Sequence, residues 1–262
     1  MTKRFKIAMG QMLVEPGAPG QNLQRAKGMI REAAGQGCHV IVLPECMDLG
    51  WTYAEAQSMA QPIPGAYCEE LAQAAREHQI HVVAGLTEKA EDRLYNASVL
   101  IGPNGQLLAK HRKINELAFA QQLYSIGNSL GVAETPFGTV ALTICADNSP
   151  SALELGRATA RMGAQIVLSP CAWAVPADHD NSREPYGDMW KSSYGTLANE
   201  HGMTIVGVSN VGRVKGGEWD GWKCIGCSLA VGPDGVITQG PYGEDAESLM
   251  TIELDVPVAS GA

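Results

Sequence analysis

The stretch GCHVIVLPE, residues 37–45, has a counterpart later in the chain, GAQIVLSPC, residues 163–171. Each begins with glycine, continues through an aliphatic and β-branched run, and ends with proline followed by a chemically reactive residue. A short apolar run bounded by glycine and proline predicts a buried β-strand. Because the unit recurs at a long spacing, the sequence predicts two similar halves and not a short-repeat solenoid.

The segments around the two units alternate between strand and helix patterns. In the first half we predict strands at 5–12, 39–43 and 81–86, with helices at 22–34 and 66–78. In the second half we predict strands at 140–144, 165–169 and 204–209, with helices at 150–162 and 186–201. Strands that alternate with helices in this way indicate an α/β fold.

Each half also ends in a predicted β-hairpin. The segments NASVLIGPNG, residues 96–105, and CSLAVGPDG, residues 227–235, place Asn-Gly and Asp-Gly after alternating apolar runs. Two halves of this kind, each a sheet with helices on one face, pack most simply sheet against sheet as an α-β-β-α sandwich. We interpret residues 127–138 as a short polar loop and not a linker, and therefore predict one domain spanning 1–262.

Charge and composition exclude some classes of partner and indicate a cellular compartment. The net charge of -9 and the absence of a long basic run argue against a nucleic-acid partner. The sequence contains neither a bilayer-length apolar run nor a signal-like N-terminus, so we expect no membrane partner. Seven scattered cysteines suit a reducing compartment, and we expect a cytoplasmic protein.

Cys145 is the first candidate for chemistry. It directly follows the predicted strand 140–144, and Ser149 with Pro150 predicts the start of a helix just beyond it. A helix N-terminus lowers the pKa of a nearby thiol and binds a developing oxyanion. The alternative is that Cys145 is simply a small buried hydrophobic residue, which is the usual environment of cysteine.

Glu45 and Lys113 are the other two candidates. Glu45 ends an apolar strand, where a carboxylate is costly unless it has a partner. Lys113 follows a predicted strand within a short basic cluster. The alternative is that both residues are solvated side chains in loops and have no part in chemistry.

Other motifs give weaker indications. Cys224 and Cys227 have CxxC spacing, but without a second pair or a nearby histidine they indicate a core strand more than a metal site or a redox pair. His179 is the best partner for a Cys-His nucleophile pair, although a solvated histidine explains it equally simply. The sequence has no nucleotide-binding glycine motif, zinc-protease motif or serine-hydrolase elbow.

Taken together, these segments resemble the nitrilase superfamily of carbon-nitrogen hydrolases, in which an acid, a lysine and a cysteine follow one another along the chain. Glu45, Lys113 and Cys145 have that order. The resemblance implies an α-β-β-α sandwich that forms a homodimer or a higher homo-oligomer. The blocks that carry it cover nearly the whole chain: IAMGQ (7–11), IVLPE (41–45), RKI (112–114), FG (137–138), ICAD (144–147), residues 163–173, and VSNVG (208–212).

The resemblance also implies a role for each matching residue. Cys145 would be the nucleophile, Glu45 the general base, and Lys113 the cation that stabilises the tetrahedral intermediate together with the Ala146 backbone N–H. Glu116 is the one acid between Lys113 and residue 127, and we expect it to fill the supporting role of the family's second glutamate. No metal or organic cofactor is implied.

The substrate is expected to be a small linear amide or carbamoyl compound. Cys145-Ala146-Asp147 and the length of the chain resemble the amidase-type branches, whereas nitrilases carry Cys-x-Glu. Asn148 stands where many relatives have arginine, which weakens the case for a substrate carboxylate bound there. Trp173 and Asp178 are predicted to shape the substrate pocket. A nitrile hydrolase and a catalytically silent scaffold remain the alternatives.

Overall fold

The computed structural model describes residues 2–257, so the predicted span 1–262 extends beyond the described residues at both ends. The first half consists of β1 (Thr2–Gln11), α1 (Pro19–Gly35), β2 (Val40–Val42), α2 (Ala56–Met59), α3 (Ala66–His78), β3 (His81–Ala90), β4 (Arg93–Ile101) and β5 (Leu107–Arg112). No helix within the described residues is both long and apolar enough to cross a membrane.

The second half consists of β6 (Val132–Thr135), β7 (Gly138–Leu142), α4 (Leu153–Arg161), β8 (Ile166–Cys171), β9 (Ala174–Val175), α5 (Asp188–His201), β10 (Thr204–Ser209), β11 (Val211–Arg213), β12 (Lys223–Ile225), β13 (Leu229–Gly232), β14 (Gly235–Gln239) and β15 (Ser248–Pro257). Single 3₁₀ turns lie at Ala120–Gln122, Cys145–Asn148 and Pro150–Ala152.

The two large sheets share one plan. Their strand orders are β15-β1-β2-β3-β4-β5 and β14-β13-β10-β8-β7-β6, and β11-β12-β9 forms a small third sheet. In each large sheet three central strands are parallel, β1-β2-β3 in one and β7-β8-β10 in the other. The repeated sequence unit therefore forms the middle parallel strand of each sheet, β2 and β8, which confirms the predicted duplication.

Three apolar layers hold the sandwich together. Val42 and Val83 of the first sheet pack against Leu168 and Val206 of the second in the central layer. One outer layer joins the first sheet to α1 and α3, and the other joins the second sheet to α5. Burial of apolar surface on both faces explains the nearly continuous hydrophobic runs of the central strands. The predicted α-β-β-α sandwich is confirmed.

Two local predictions are wrong. Residues 127–138 are not simply a loop, because they contain β6, which pairs with β7 in an antiparallel ladder. The helix predicted at 150–162 is divided into a 3₁₀ turn at Pro150–Ala152 and α4 from Leu153. Pro150 can begin a helical turn because it needs no N–H partner there, but no local pattern indicates that this first turn is separate from the helix.

Candidate active site

Glu45, Lys113 and Cys145, which are far apart in the sequence, line one cavity of about 400 Å³. The structure thus brings the three candidates together. The rest of the wall comes from segments that follow strands of both sheets, from β9 and from the start of α5. Its residues are Trp51, Leu117, Ala146, Ser149, Ser151, Ala172, Trp173, Ala174, Tyr186, Met189, Trp190 and Trp219.

Glu45 is fixed by contacts with both sheets. Its backbone N–H donates to the carbonyl of Cys171 at 3.2 Å. On its other side Gly85 passes so closely that a Cβ there would lie 2.5 Å from the Glu45 Cα, and only glycine fits. The side chain is buried, and its Oε1 accepts hydrogen bonds from Lys113 Nζ at 2.7 Å and from Asn96 Nδ2 at 2.6 Å.

Lys113 lies just beyond β5 and is held by its backbone. Its N–H donates to the Asn96 carbonyl and its own carbonyl accepts from the Gly127 N–H, both at 2.8 Å. The buried ammonium group lies 2.7 Å from Glu45 Oε1 and 3.6 Å from Glu116 Oε2. Burial alone would lower the pKa of Lys113, but the two carboxylates outweigh it and raise that pKa well above the usual value.

Cys145 opens the 3₁₀ turn after β7, with a left-handed φ of 42°. Its backbone N–H donates to Ser169 Oγ at 3.1 Å. The expected α-helix N-terminus is not there, because α4 begins only at Leu153. The expected lowering of the thiol pKa is also wrong: interaction with the neighbouring Cys171 thiol, burial and the Glu45 charge raise the pKa of Cys145 well above the usual value. The resting nucleophile is therefore a thiol that needs a base.

Asp147 links the turn that contains Cys145 to the loop that contains Lys113, and it was not among the predicted site residues. Its buried carboxylate accepts hydrogen bonds from the backbone N–H groups of Ile144 (3.0 Å), Ile114 (3.1 Å) and Asn115 (2.8 Å). Its Oδ2 also lies 2.8 Å from His111 Nε2. These contacts fix the position of Cys145 relative to Lys113. Burial opposes ionisation, but the His111 hydrogen bond and the backbone donors keep the pKa of Asp147 below its usual value.

Glu116 lies beside the other candidates, although it does not line the cavity. Its side chain is buried, and its nearest ion-pair partner is Lys113. Burial raises the pKa of Glu116 to about 7, against the opposing effect of Lys113. The structure therefore places Glu116 behind Lys113 and outside the cavity, where it makes no direct contact with a ligand and becomes negatively charged as the pH rises above about 7.

The remaining predicted residues divide into two groups. Ala146 and Trp173 line the cavity beside Cys145. Asp178 does not, because it lies in the exposed turn after β9 and its side chain faces solvent. The 3₁₀ turn thus leaves the Ala146 backbone next to the nucleophile, whereas Asp178 is outside the group that the structure brings together.

Sequence reasoning missed several residues of the site. Asn96 was interpreted only as part of a hairpin, and the signal that could have found it is a polar side chain facing inward on an otherwise apolar strand. Trp219 carried no signal, because it comes from an irregular segment before β12 whose path the sequence does not reveal. Within residues 2–257, no group of three or more His, Cys, Asp or Glu side chains has an arrangement that could hold a metal ion.

Comparison with known proteins gives one family. The sequence profile of the family described as carbon-nitrogen hydrolase matches residues 6–261. The chain is 34% identical over 180 residues to the omega-amidase NIT2 of Xenopus tropicalis, an alignment that covers 65% of this chain and 64% of that protein. It is also 34% identical over 220 residues to a nitrilase of Pyrococcus abyssi, covering 80% of this chain and 82% of that protein. The chain thus spans less than two thirds of the omega-amidase.

Solved structures share the fold. An amidase from Nesterenkonia sp. superposes with a TM-score of 0.80 over 96% of this chain and 90% of that chain, at 23% sequence identity. A variant of the amidase from Nesterenkonia sp. AN1 gives the same TM-score of 0.80 at 22% identity. At this level of identity the likeness supports the sandwich architecture alone.

Proposed function

Because the chain belongs to the carbon-nitrogen hydrolase family, we propose that it is a cysteine amidase that cleaves the C–N bond of a small linear amide or carbamoyl compound. The observation that carries the proposal is the buried Glu45–Lys113 pair, 2.7 Å apart, which shares one cavity with the Cys145 thiol. A base, a cation and a nucleophile at one water-poor site are the groups that amide cleavage through an acyl-enzyme requires.

In the first step Glu45 takes the proton from Cys145 as the sulfur attacks the amide carbonyl. Glu45 Oε2 makes no hydrogen bond within residues 2–257, so this oxygen is available to accept the proton. The carbonyl oxygen becomes an oxyanion, which Lys113 Nζ and the Ala146 N–H stabilise. The N–H of Cys145 itself is already donated to Ser169, and Ala146 is therefore the backbone donor.

The tetrahedral intermediate then collapses. Protonated Glu45 returns its proton to the departing nitrogen, ammonia or an amine leaves, and the acyl group stays on Cys145 as a thioester. Glu45 next removes a proton from water as the water attacks the thioester. The acid product leaves and the Cys145 thiol is restored, which is the reversal of acid and base roles expected of one well-placed carboxyl group.

Glu116 supports this cycle through Lys113. Its carboxyl group lies 3.6 Å from the Lys113 ammonium, and once it is ionised, as the pH rises above about 7, its charge raises the Lys113 pKa and helps to keep the buried lysine protonated. In this proposal Glu116 is a positioning residue, because it does not line the cavity.

The names of similar proteins agree with this chemistry. Those proteins are described as an omega-amidase, a nitrilase and an amidase. One amidase variant carries the acetamide moiety of fluoroacetamide covalently at its active-site cysteine. The nitrilase relative favours nitrile hydrolysis as the second candidate activity.

We further propose that the chain acts as one catalytic domain in a cytoplasmic homo-oligomer. The cavity draws residues from both halves of the sandwich, which supports a single unit. All seven cysteines are free thiols, as suits a reducing compartment. Self-association is the assembly that the family resemblance implies. Light scattering coupled to size-exclusion chromatography measures the assembly, and a monomer at micromolar concentration would contradict it.

An ammonia-release screen over amides, carbamoyl compounds and nitriles tests the proposed activity. We expect amide turnover in the wild type, its loss in Cys145→Ala, and its retention in the matched control Cys224→Ser. Turnover that survives Cys145→Ala would refute the proposal. Activity that is lost in Cys224→Ser alone would instead revive the redox-pair interpretation.

A further inference from the structure

The wall of the cavity beyond the reacting groups is aromatic and apolar. Four tryptophans and a tyrosine contribute to it, together with Leu117 and Met189. Aromatic and aliphatic walls recognise a ligand through the apolar surface that it buries. This part of the cavity is where the acyl portion of an amide lies when its carbonyl carbon faces Cys145.

Packing around the aromatic side chains holds them in place. Trp51 meets Trp219 edge to face at 5.3 Å between ring centroids, and Trp219 stacks on Trp222 at 4.4 Å. On the opposite wall Trp173 stacks on Trp190 at 5.2 Å, and Trp190 Nε1 donates to the hydroxyl of Tyr186 at 2.9 Å. Braced rings of this kind form a preorganised apolar surface, because little side-chain freedom remains to be lost on binding.

The charges of the cavity disfavour an anionic acyl group. Glu45 and Lys113 are the charged residues that line it within residues 2–257, and they already pair with each other. Glu116 adds a second carboxyl group directly behind Lys113. A substrate carboxylate would therefore lose its hydration without gaining a free cation, and would face two acids around a single lysine.

The other polar groups near the nucleophile are neutral and supply no countercharge. Trp51 Nε1 and Trp173 Nε1 are buried in the cavity wall without a hydrogen-bond partner within residues 2–257, so they can donate to a substrate oxygen but cannot neutralise a carboxylate. The hydroxyls of Ser149 and Ser151 lie 3.1 Å from each other at the edge of the cavity. Asn148 is buried, and its amide donates to Thr143 Oγ1 at 2.8 Å and to Ser169 Oγ at 2.9 Å. The amide thus bridges the ends of β7 and β8 and is not directed at a ligand.

From these observations we propose that the substrate is an amide whose acyl group ends in an uncharged aryl or branched alkyl group, and that amides with a distal carboxylate are excluded. This inference rests on the proposed amidase activity and specifies its substrate class. Each methylene that the acyl group adds, up to the capacity of the cavity, raises kcat/KM by about fourfold, the effect of burying one methylene.

A set of shape-matched amides tests the inference. 5-Methylhexanamide and glutaramate differ only in whether an isopropyl group or a carboxylate ends the chain, 5-aminopentanamide supplies a cation, and 3-phenylpropanamide supplies a ring. We expect kcat/KM for 5-methylhexanamide and 3-phenylpropanamide to exceed that for glutaramate by about 100-fold or more, the effect of one unpaired buried charge. Equal or better turnover of glutaramate would overturn the inference, and so would a preference for 5-aminopentanamide.

A charge-introducing variant separates electrostatics from shape. Met189 lines the cavity and is 49% exposed, so Met189→Arg adds a cation at the mouth without disturbing the core. We expect it to raise the kcat/KM ratio of glutaramate to 5-methylhexanamide by about tenfold, the effect of one new ion pair in a partly shielded site. Met162→Arg is the matched control, because Met162 is 46% exposed and lies outside the cavity, and there the ratio stays unchanged. An unchanged ratio in Met189→Arg would overturn the electrostatic argument.

The outcomes distinguish failure of this inference from failure of the proposed function. If glutaramate is hydrolysed through Cys145 in preference to the neutral amides, the amidase proposal stands and the substrate class is wrong. If none of the amides releases ammonia and Cys145 forms no acyl adduct, both are wrong.

Discussion

Lys113 Nζ donates a 2.7 Å hydrogen bond to Glu45 Oε1 across a sequence separation of 68 residues, and both side chains are buried. A buried ion pair persists only when both partners are present, because either charge alone would lack compensation. In the proposed mechanism this pair combines the base with the cation that stabilises the oxyanion, in the cavity that Cys145 also lines. The stability of the fold and the proposed catalysis therefore depend on the same contact, which makes it the first target for mutation.

Lys113→Met is expected to lose activity and stability together. The variant leaves Glu45 buried beside Glu116 without a cation, so the free energy of unfolding falls by about 3 to 5 kcal/mol. Loss of an oxyanion donor lowers kcat/KM by about 100-fold or more. Urea denaturation and amide turnover measure the two effects.

Lys110→Met is the control for that experiment. Lys110 pairs with Glu88 at 2.6 Å, and Arg112 also pairs with Glu88, so removing Lys110 leaves that carboxylate with a partner. We expect a stability change within about 1 kcal/mol and unchanged kcat. If Lys113→Met behaves like Lys110→Met, the buried pair has no special role.

Asp147→Asn is expected to misalign the nucleophile. The amide NH₂ that replaces one carboxylate oxygen would face backbone N–H groups of Ile144 or of the lysine loop, which lowers the free energy of unfolding by about 2 kcal/mol. Since the variant shifts the Cys145 nucleophile more than it weakens substrate binding, kcat falls roughly 10- to 100-fold with little change in KM. Asp92→Asn, in an exposed turn, is the matched control. A selective increase in KM would argue against a positioning role.

Cys171→Ala is expected to make Cys145 more acidic. Interaction with the neighbouring Cys171 thiol is the foremost cause of the raised pKa of Cys145, and the variant removes that thiol. The midpoint of the pH profile for alkylation of Cys145 by iodoacetamide should therefore move to lower pH. Cys38→Ala, on the far side of the first sheet's core layer, should leave the midpoint in place. A shift to higher pH would mean that Cys171 stabilises the thiolate.

Local pattern in the sequence was enough to predict much of the fold. The helix Ala66–His78 and the strand Thr204–Ser209 have the predicted bounds, because a 3.6-residue period and a β-branched run, respectively, decide them locally. The strand β6 escaped prediction because its four residues are half-exposed and gain their order from pairing with β7. Tertiary pairing of this kind leaves little trace in a single sequence.

The candidate site likewise has features that the sequence predicts and features that depend on tertiary structure. The order of Glu45, Lys113 and Cys145 was enough to predict that they meet. The raised pKa of Cys145, in contrast, depends on Cys171. Cys171 lies beside Cys145 only because of the register of two parallel strands. Leu142 pairs with Leu168, and Cys145 and Cys171 each lie three residues beyond these partners, Cys145 in the turn after β7 and Cys171 at the end of β8. Asp178 was misjudged because composition cannot tell which way a loop side chain faces.

Glu116→Gln is expected to change how stability depends on pH. The pKa of Glu116 rises from 4.5 to about 7 in the folded protein. As the pH rises through 4.5 the unfolded chain ionises while the folded carboxyl group stays protonated, so the free energy of unfolding of the wild type falls until about pH 7. The glutamine variant escapes this loss, which amounts to about 3 kcal/mol.

Urea denaturation at a series of pH values measures that difference. The stability of Glu116→Gln relative to the wild type should grow from pH 4.5 to 7 and then level off. Glu91→Gln, at an exposed turn, should show no such trend. A difference that shrinks with rising pH would mean that Glu116 is ionised and well paired in the folded protein.

Rapid acid quenching of the wild-type enzyme during turnover of 5-methylhexanamide, followed by intact-mass analysis and peptide mapping, shows whether Cys145 carries the acyl group. We expect a mass gain equal to the acyl group minus one hydrogen, located on the peptide that contains Cys145 and absent in Cys145→Ala. Steady ammonia release with no acylated protein at any quench time, or with the acyl group on another cysteine, would contradict it.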